Sequence, residues 1–155
     1  MSRTSYAIAI GSNRRGRHGG PAREVAAAID ALGGVTITSP ILHTPPLGPS
    51  KRRFANAVAL IESDEAPPAL LRRLKAIERD FGRRRGQNWG ARVIDLDIVL
   101  WSGGSWGEPS LTVPHRLFRH RDFVLVPLMQ VAADWRDPVT GLSVRQLHAR
   151  LRRKR

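Results

Sequence analysis

RVIDLDIVLW, residues 92–101, is the stretch on which the fold turns. Ile94, Leu96, Ile98 and Leu100 alternate with other residues, the period-two pattern of a strand with one face in the core. That alternation puts Asp95 and Asp97 together on the opposite face. Asp is depleted in strands, and residues i and i+2 point to the same side, so the two carboxylates repel one another unless something binds them.

Reading 92–101 as a strand makes it the fourth. SYAIAI (5–10), VTITSPIL (35–42) and FANAVALIE (54–62) are the others. Between them lie two helices. PAREVAAAIDALGG (21–34) has Pro21 near its start, Val25, Ile29 and Leu32 at helical spacing, and a Gly33-Gly34 stop. APPALLRRLKAIERDFG (66–82) carries Leu70, Leu74, Ile77 and Phe81 on one face and ends at Gly82. HTPPLGPSKRR (43–53) reads as a loop, because its prolines remove backbone donors. The order βαββαβ implies an α+β, ferredoxin-like antiparallel sheet with both helices on one face. Beyond a turn at Gly103, LTVPH (111–115), a helix in DFVLVPLMQVA (122–132) and a basic helix in SVRQLHARLRRKR (143–155) form a C-terminal helical extension. Residues 1–155 read as one domain, with no internal repeat.

Composition narrows the function classes. With 155 residues, 41% of them hydrophobic, the chain can bury a core without disulfides, and it has no cysteine for a thiolate metal site. No segment has the apolar length of a signal peptide core or a membrane span, so a cytoplasmic protein with no membrane partner is expected. The 26 Lys and Arg against 13 Asp and Glu leave a net charge of +13, mostly arginine. Such charge attracts nucleic acid, an anionic membrane surface or a phosphorylated small molecule alike.

The aspartate pair sharpens this. Two residues of strand rise separate the Cα atoms by roughly 6.5–7 Å, and carboxylates so placed can converge on divalent cations that keep water and phosphate oxygens as their other ligands. Just upstream lie Arg83, Arg84, Arg85 and Arg92, whose planar forks suit phosphate, and Trp89, whose ring suits stacking on a flat base. Carboxylates for Mg²⁺ beside arginines for phosphate describe a nucleoside triphosphate site. Rival phosphate motifs fail: GSNRRGRH (11–18) has Arg17 and His18 where a P-loop requires Lys and Ser or Thr.

The run WGARVIDLDIV, with LTVPH at 111–115, IGSN at 10–13 and TPPLG at 44–48, resembles the 6-hydroxymethyl-7,8-dihydropterin pyrophosphokinase family of folate synthesis. The resemblance implies transfer of the β,γ-pyrophosphate of ATP to a dihydropterin hydroxymethyl group, with AMP as the other product. By position, Asp95 and Asp97 would hold two Mg²⁺ ions. Arg83 and Arg92 would act catalytically on the triphosphate, and Arg85, Trp89, Ile98, Thr112, His115 and Arg121 would join them around ATP. The dihydropterin would lie between Phe54 and Phe123, read by Asn56, Thr44, Pro45 and Leu47. A flat heterocycle rich in donors and acceptors suits two rings and one amide. No general base stands out beyond Asp97.

Three departures from common bacterial members are visible: Phe54 replaces Tyr, Ser110 replaces an Arg before LTVPH, and Lys75 replaces Gln. Glu78 matches a position near the nucleotide, yet its Ile-Glu-Arg context reads as a solvated helix face. Of five histidines only His115 sits in a motif; His18, His43, His120 and His148 read as surface or loop residues, and Trp101, Trp106 and Trp135 as packing residues. The rival class is a basic ferredoxin-like RNA-binding module. It lacks the RNP1 pattern, and its sheet face would present Asp95 and Asp97 to phosphate. A catalytically silent relative would require loss of the metal or arginine set, and both are present. ATP and the dihydropterin are therefore the expected partners of a monomer, with no nucleic acid.

Overall fold

The computed structural model describes residues 2–45, 53–82 and 93–154. In chain order they form β1 (Thr4–Ser12), α1 (Pro21–Leu32), β2 (Val35–Thr38), β3 (Leu42–Thr44), β4 (Phe54–Ser63), α2 (Pro67–Gly82), β5 (Asp95–Trp101), β6 (Trp106–Glu108), β7 (Leu111–Val113), α3 (Asp122–Ala132) and α4 (Val144–Arg153). The main sheet is antiparallel in the order β2-β4-β1-β5, with β3 also paired to β4. That is the expected ferredoxin-like arrangement.

Two expectations about strands need correction. The predicted strand 35–42 is two strands, β2 and β3, that follow one another along β4. Pro40 has no N–H for the ladder, and Ser39 holds the break to β4: its N–H donates to Val58 O and its hydroxyl accepts the Val58 N–H, both at 2.9 Å. The predicted loop 43–53 accordingly gives up His43 and Thr44 to β3, opposite Ala55 and Phe54. A further hairpin, β6–β7, was not anticipated. It is seated by aromatic contacts, Trp106 meeting Trp101 edge-on at 6.1 Å and Trp101 stacking on Tyr6 at 5.9 Å.

The sheet has a core on each side. Under one face Ile8, Ile10, Ala57, Ile61, Ile94, Leu96 and Ile98 pack with Val25 and Leu32 of α1 and Leu70 and Leu74 of α2. Against the other, Ala7, Val58, Leu60, Val99 and Leu100 pack with Leu125, Leu128, Val144 and Leu147 of α3 and α4. Leu100 was expected with Ile94, Leu96 and Ile98, and it is on the other side. Ile8 pairs with Ile98 while Ala7 pairs with Leu100, so Val99 is an extra residue in β5, and the bulge reverses the alternation beyond it.

The extension is fastened by an ion pair. Asp137, fully buried, receives Arg119 Nε at 2.5 Å and Nη2 at 2.9 Å, the Thr140 hydroxyl at 2.8 Å and the Val139 amide at 3.0 Å. Burial alone would raise its pKa, but the Arg119 fork, the Thr140 hydroxyl and the Val139 amide outweigh burial and hold it below its ordinary 3.8. A carboxyl depressed on folding stabilises the protein above its unfolded-state pKa, and that contribution disappears as pH falls through the lower folded value. Asp137→Asn is therefore expected to cost about 1.5–3 kcal/mol at neutral pH. Urea unfolding should show the gap from the parent narrowing in acid; a gap independent of pH would contradict the charge-based account.

Candidate active site

The register of three strands sets the floor of the site. Asn56 of β4, Gly11 of β1 and Asp95 of β5 are Cα partners in one row, and Val58, Ala9 and Asp97 form the next row on the same face. Residues directly opposite across an antiparallel ladder share a face. The carboxylates therefore rise beside two small residues, Gly11 and Ala9, which leave the space above them open. The bulge at Val99 and the helices α3 and α4 close the far end of this face with apolar side chains and stop short of the aspartates. What remains is a cavity of about 360 Å³ whose lining includes Asp95, Asp97, Asn56, Phe54, Phe123 and Arg121.

Each wall has a local cause. Phe54 is two residues before Asn56 on β4 and so points to the same side. Thr44, which also lines the cavity, is opposite Phe54 in β3. Arg121 caps α3 with extended backbone, and its guanidinium carbon lies 5.6 Å above the Phe123 ring at the helix start, so cation and ring are held as a unit. Asn56 is 8% exposed, and among the described residues its side-chain amide has no hydrogen-bond partner. A Cβ on Gly11 would stand 2.9 Å from Asn56 Oδ1, so the amide occupies space that only glycine leaves.

His115 follows the Val113–Pro114 peptide, which is cis, and its backbone N–H donates to Val99 O at 3.0 Å, the carbonyl of the bulge residue. Its ring is half-buried. Nδ1 accepts the Leu117 N–H at 3.1 Å, which leaves the proton of the neutral ring on Nε2. Burial holds its pKa below the ordinary value, with the positive charges of Arg121 and Arg116 pushing the same way against the pull of Asp97. A neutral donor beside Asp97 and Arg121 results.

Glu78 departs from expectation. It is 5% exposed, and its Oε2 accepts the Leu96 N–H at 2.8 Å while Lys75 Nζ lies 3.3 Å from Oε1. β5 ends the sheet order, so the outward N–H of Leu96 has no strand to bond and takes a carboxylate from α2 in its place. The residue so held sits between the two aspartates.

The structure thus brings Thr44, Phe54, Asn56, Asp95, Asp97, Arg121 and Phe123 together. It does not bring Ile98, whose side chain is 4% exposed in the core beneath the sheet, nor does Pro45 line the cavity; Thr112 lies exposed on β7, opposite Gly107. Leu47, Arg83, Arg85, Trp89 and Arg92 lie outside the described residues. Ser12 and Asn13 line the cavity as well, inside the IGSN run that carried no assigned role.

Comparison with known proteins agrees with this geometry. The family model for 7,8-dihydro-6-hydroxymethylpterin-pyrophosphokinase matches residues 7–133. A 2-amino-4-hydroxy-6-hydroxymethyldihydropteridine pyrophosphokinase of Pseudomonas aeruginosa is 40% identical over 137 residues, 84% of this chain and 82% of that protein. One from Synechocystis is 40% identical over 100 residues, 64% of this chain and 51% of that protein, so the match spans about half of that relative. Among solved structures, one described as HPPK-DHPS in complex with substrates superposes with a TM-score of 0.75 at 12% identity, over 97% of this chain and 43% of that one, a likeness of fold. The chain belongs to the 7,8-dihydro-6-hydroxymethylpterin-pyrophosphokinase family.

Proposed function

We propose that the protein transfers the β,γ-pyrophosphate of ATP to the hydroxymethyl group of 6-hydroxymethyl-7,8-dihydropterin, giving the pterin diphosphate and AMP. The observation that carries this reading is the shared cavity: a carboxylate pair and an uncommitted amide stand one glycine apart on the same sheet face, with Phe54 of β4 and Phe123 of α3 in the same lining. In the reaction the hydroxymethyl oxygen bonds to Pβ, the bond between Pβ and the α,β-bridging oxygen breaks, AMP leaves with that oxygen, and the hydroxyl proton is released.

Asp95 and Asp97 offer hard oxygen donors across an open floor, and among the described residues no third His, Asp or Glu completes a cage. That donor set fits Mg²⁺ sharing its remaining positions with phosphate and water. When bound, two Mg²⁺ ions supply charge neutralisation and alignment of the triphosphate. The chain's own part is placement. Phe54 and Phe123 offer ring faces to the pterin, and Asn56 reads its edge with Thr44. Arg121 and the neutral Nε2–H of His115 face the phosphates, and Arg83, Arg85, Arg92 and Trp89 are the further side chains assigned to the nucleotide from the resemblance. Transfer of this kind asks for alignment and charge stabilisation with little covalent chemistry from the protein.

The two cores share one sheet, which supports reading residues 1–155 as one catalytic domain. α3 and α4 cover the sheet face that an RNA-binding module would keep open for bases, which favours the enzyme. The test is a product assay with MgATP and the dihydropterin. AMP is expected to appear in step with pterin diphosphate; ADP, or turnover independent of the pterin, would refute pyrophosphoryl transfer.

A further inference from the structure

Glu24 of α1 is fully buried, and the proposed chemistry does not use it. A buried carboxylate is costly unless paired, so its partners indicate its purpose. Oε1 accepts the backbone N–H of His18 at 3.0 Å, and Oε2 lies 2.7 Å from His18 Nδ1. Both contacts fall in the loop 13–20, which leaves β1 at the cavity-lining Ser12 and Asn13. The loop folds back on itself through the backbone pair Gly16–Gly19, with hydrogen bonds of 2.9 and 3.3 Å. A Cβ on Gly16 would collide with Glu24 Oε1 and stand 2.7 Å from Val93 Cγ1, so the loop backbone passes directly over the carboxylate and against the approach to β5. His18 was expected to be a plain surface residue; its ring is instead held by Glu24 and lies 4.8 Å from the ring of Phe81. Arg17 pairs with Asp80 at 2.8 Å, its guanidinium carbon 6.0 Å above Phe81.

One loop therefore touches the last turn of α2, where the sequence enters the arginine run 83–92, and Val93, where it leaves that run for Asp95. We propose that Glu24 is a positioning residue: through His18 it fixes loop 13–20 as the seat of both the α2 terminus and the start of β5, and so sets the spacing of the two elements that bracket the nucleotide side of the site. This rests on the pyrophosphokinase reading. The exposed Arg17–Asp80 pair adds little on its own; the buried carboxylate and the glycine that makes room for it are the fixed points. The departure GSNRRGRH from a P-loop thus acquires a use, with His18 serving as a tether.

The test uses hydrogen exchange and titration calorimetry on the whole chain, with the magnesium complex of an α,β-methylene ATP analogue and 6-hydroxymethylpterin as probes. In Glu24→Ala, and independently in Gly16→Ala, amides at 16–18, 80–82 and 93–94 are expected to exchange faster while those of β1 and β4 stay protected. Affinity for the nucleotide analogue is expected to fall about tenfold with pterin affinity little changed, the scale of a small misplacement. His18→Ala should reproduce the defect and His18→Asn, which retains a side-chain donor, should largely restore it. Unchanged exchange at 80–82 and 93–94 in Glu24→Ala and Gly16→Ala, or an equal loss of both affinities, would overturn the proposal. If the parent protein failed to bind the nucleotide analogue, the pyrophosphokinase reading would fall, and the exchange pattern would still decide whether Glu24 seats the two elements.

Discussion

Asp97→Ala is expected to lower kcat by about 10³-fold or more, because under the proposed function its carboxylate would hold a metal ion that supplies several kcal/mol of charge stabilisation. The same variant should unfold within about 0.5 kcal/mol of the parent. The separation follows from where the side chain stands. Asp97 is half-exposed on the open face, opposite Ala9, and the packing of β5 is carried by Ile94, Leu96 and Ile98 beneath it. Steady-state kinetics with MgATP and the dihydropterin, paired with thermal unfolding, checks both halves. A variant with near-parent kcat would sink the metal assignment, and one that is inactive because it unfolds would show that Asp97 has a structural duty the geometry does not indicate.

The legible parts of the sequence were those written in periodicity. α1 and α2 lie where the apolar spacing put them, because a repeat of 3.6 residues over three or more turns is unambiguous, and Gly33 at φ +68° stops α1 as expected. The aspartate pair was legible because Asp in a strand contradicts local propensity, and such conflicts gather at functional sites. The bulge at Val99 was not. IVLW is apolar throughout, so nothing in it marks where alternation breaks, and only pairing with β1 reveals that Leu100 changes sides. Glu78 and His18 were misread for one reason: a polar residue on a helix face or in a glycine loop is assigned to solvent by default, and its burial depends on a distant partner, the Leu96 amide in one case and Glu24 in the other. β6–β7 escaped because three-residue strands carry no period. Pro40 was a signal available in the sequence, since a proline inside a predicted strand forbids a continuous ladder there.

Asn56→Ala is expected to reduce kcat/KM for the dihydropterin by about 10²–10³-fold, as befits losing a paired donor and acceptor in a site built to hydrogen-bond its substrate. KM for ATP should scarcely change. Stability should change little: the amide faces the cavity and no hydrogen bond among the described residues rests on it. Loss of function at unchanged stability is the mark of a side chain kept for its ligand. Gly11→Ala offers an independent approach to the same point. It leaves Asn56 in place but sets a Cβ 2.9 Å from Oδ1, so the amide must shift by a few tenths of an ångström or turn. Selectivity for the pterin should then weaken in the same direction, although no substrate-touching atom has been deleted. If both variants kept the parent's pterin KM, the hydrogen-bonding edge of the substrate would have to be read from elsewhere in the cavity, and the row Asn56–Gly11–Asp95 would be a metal floor only.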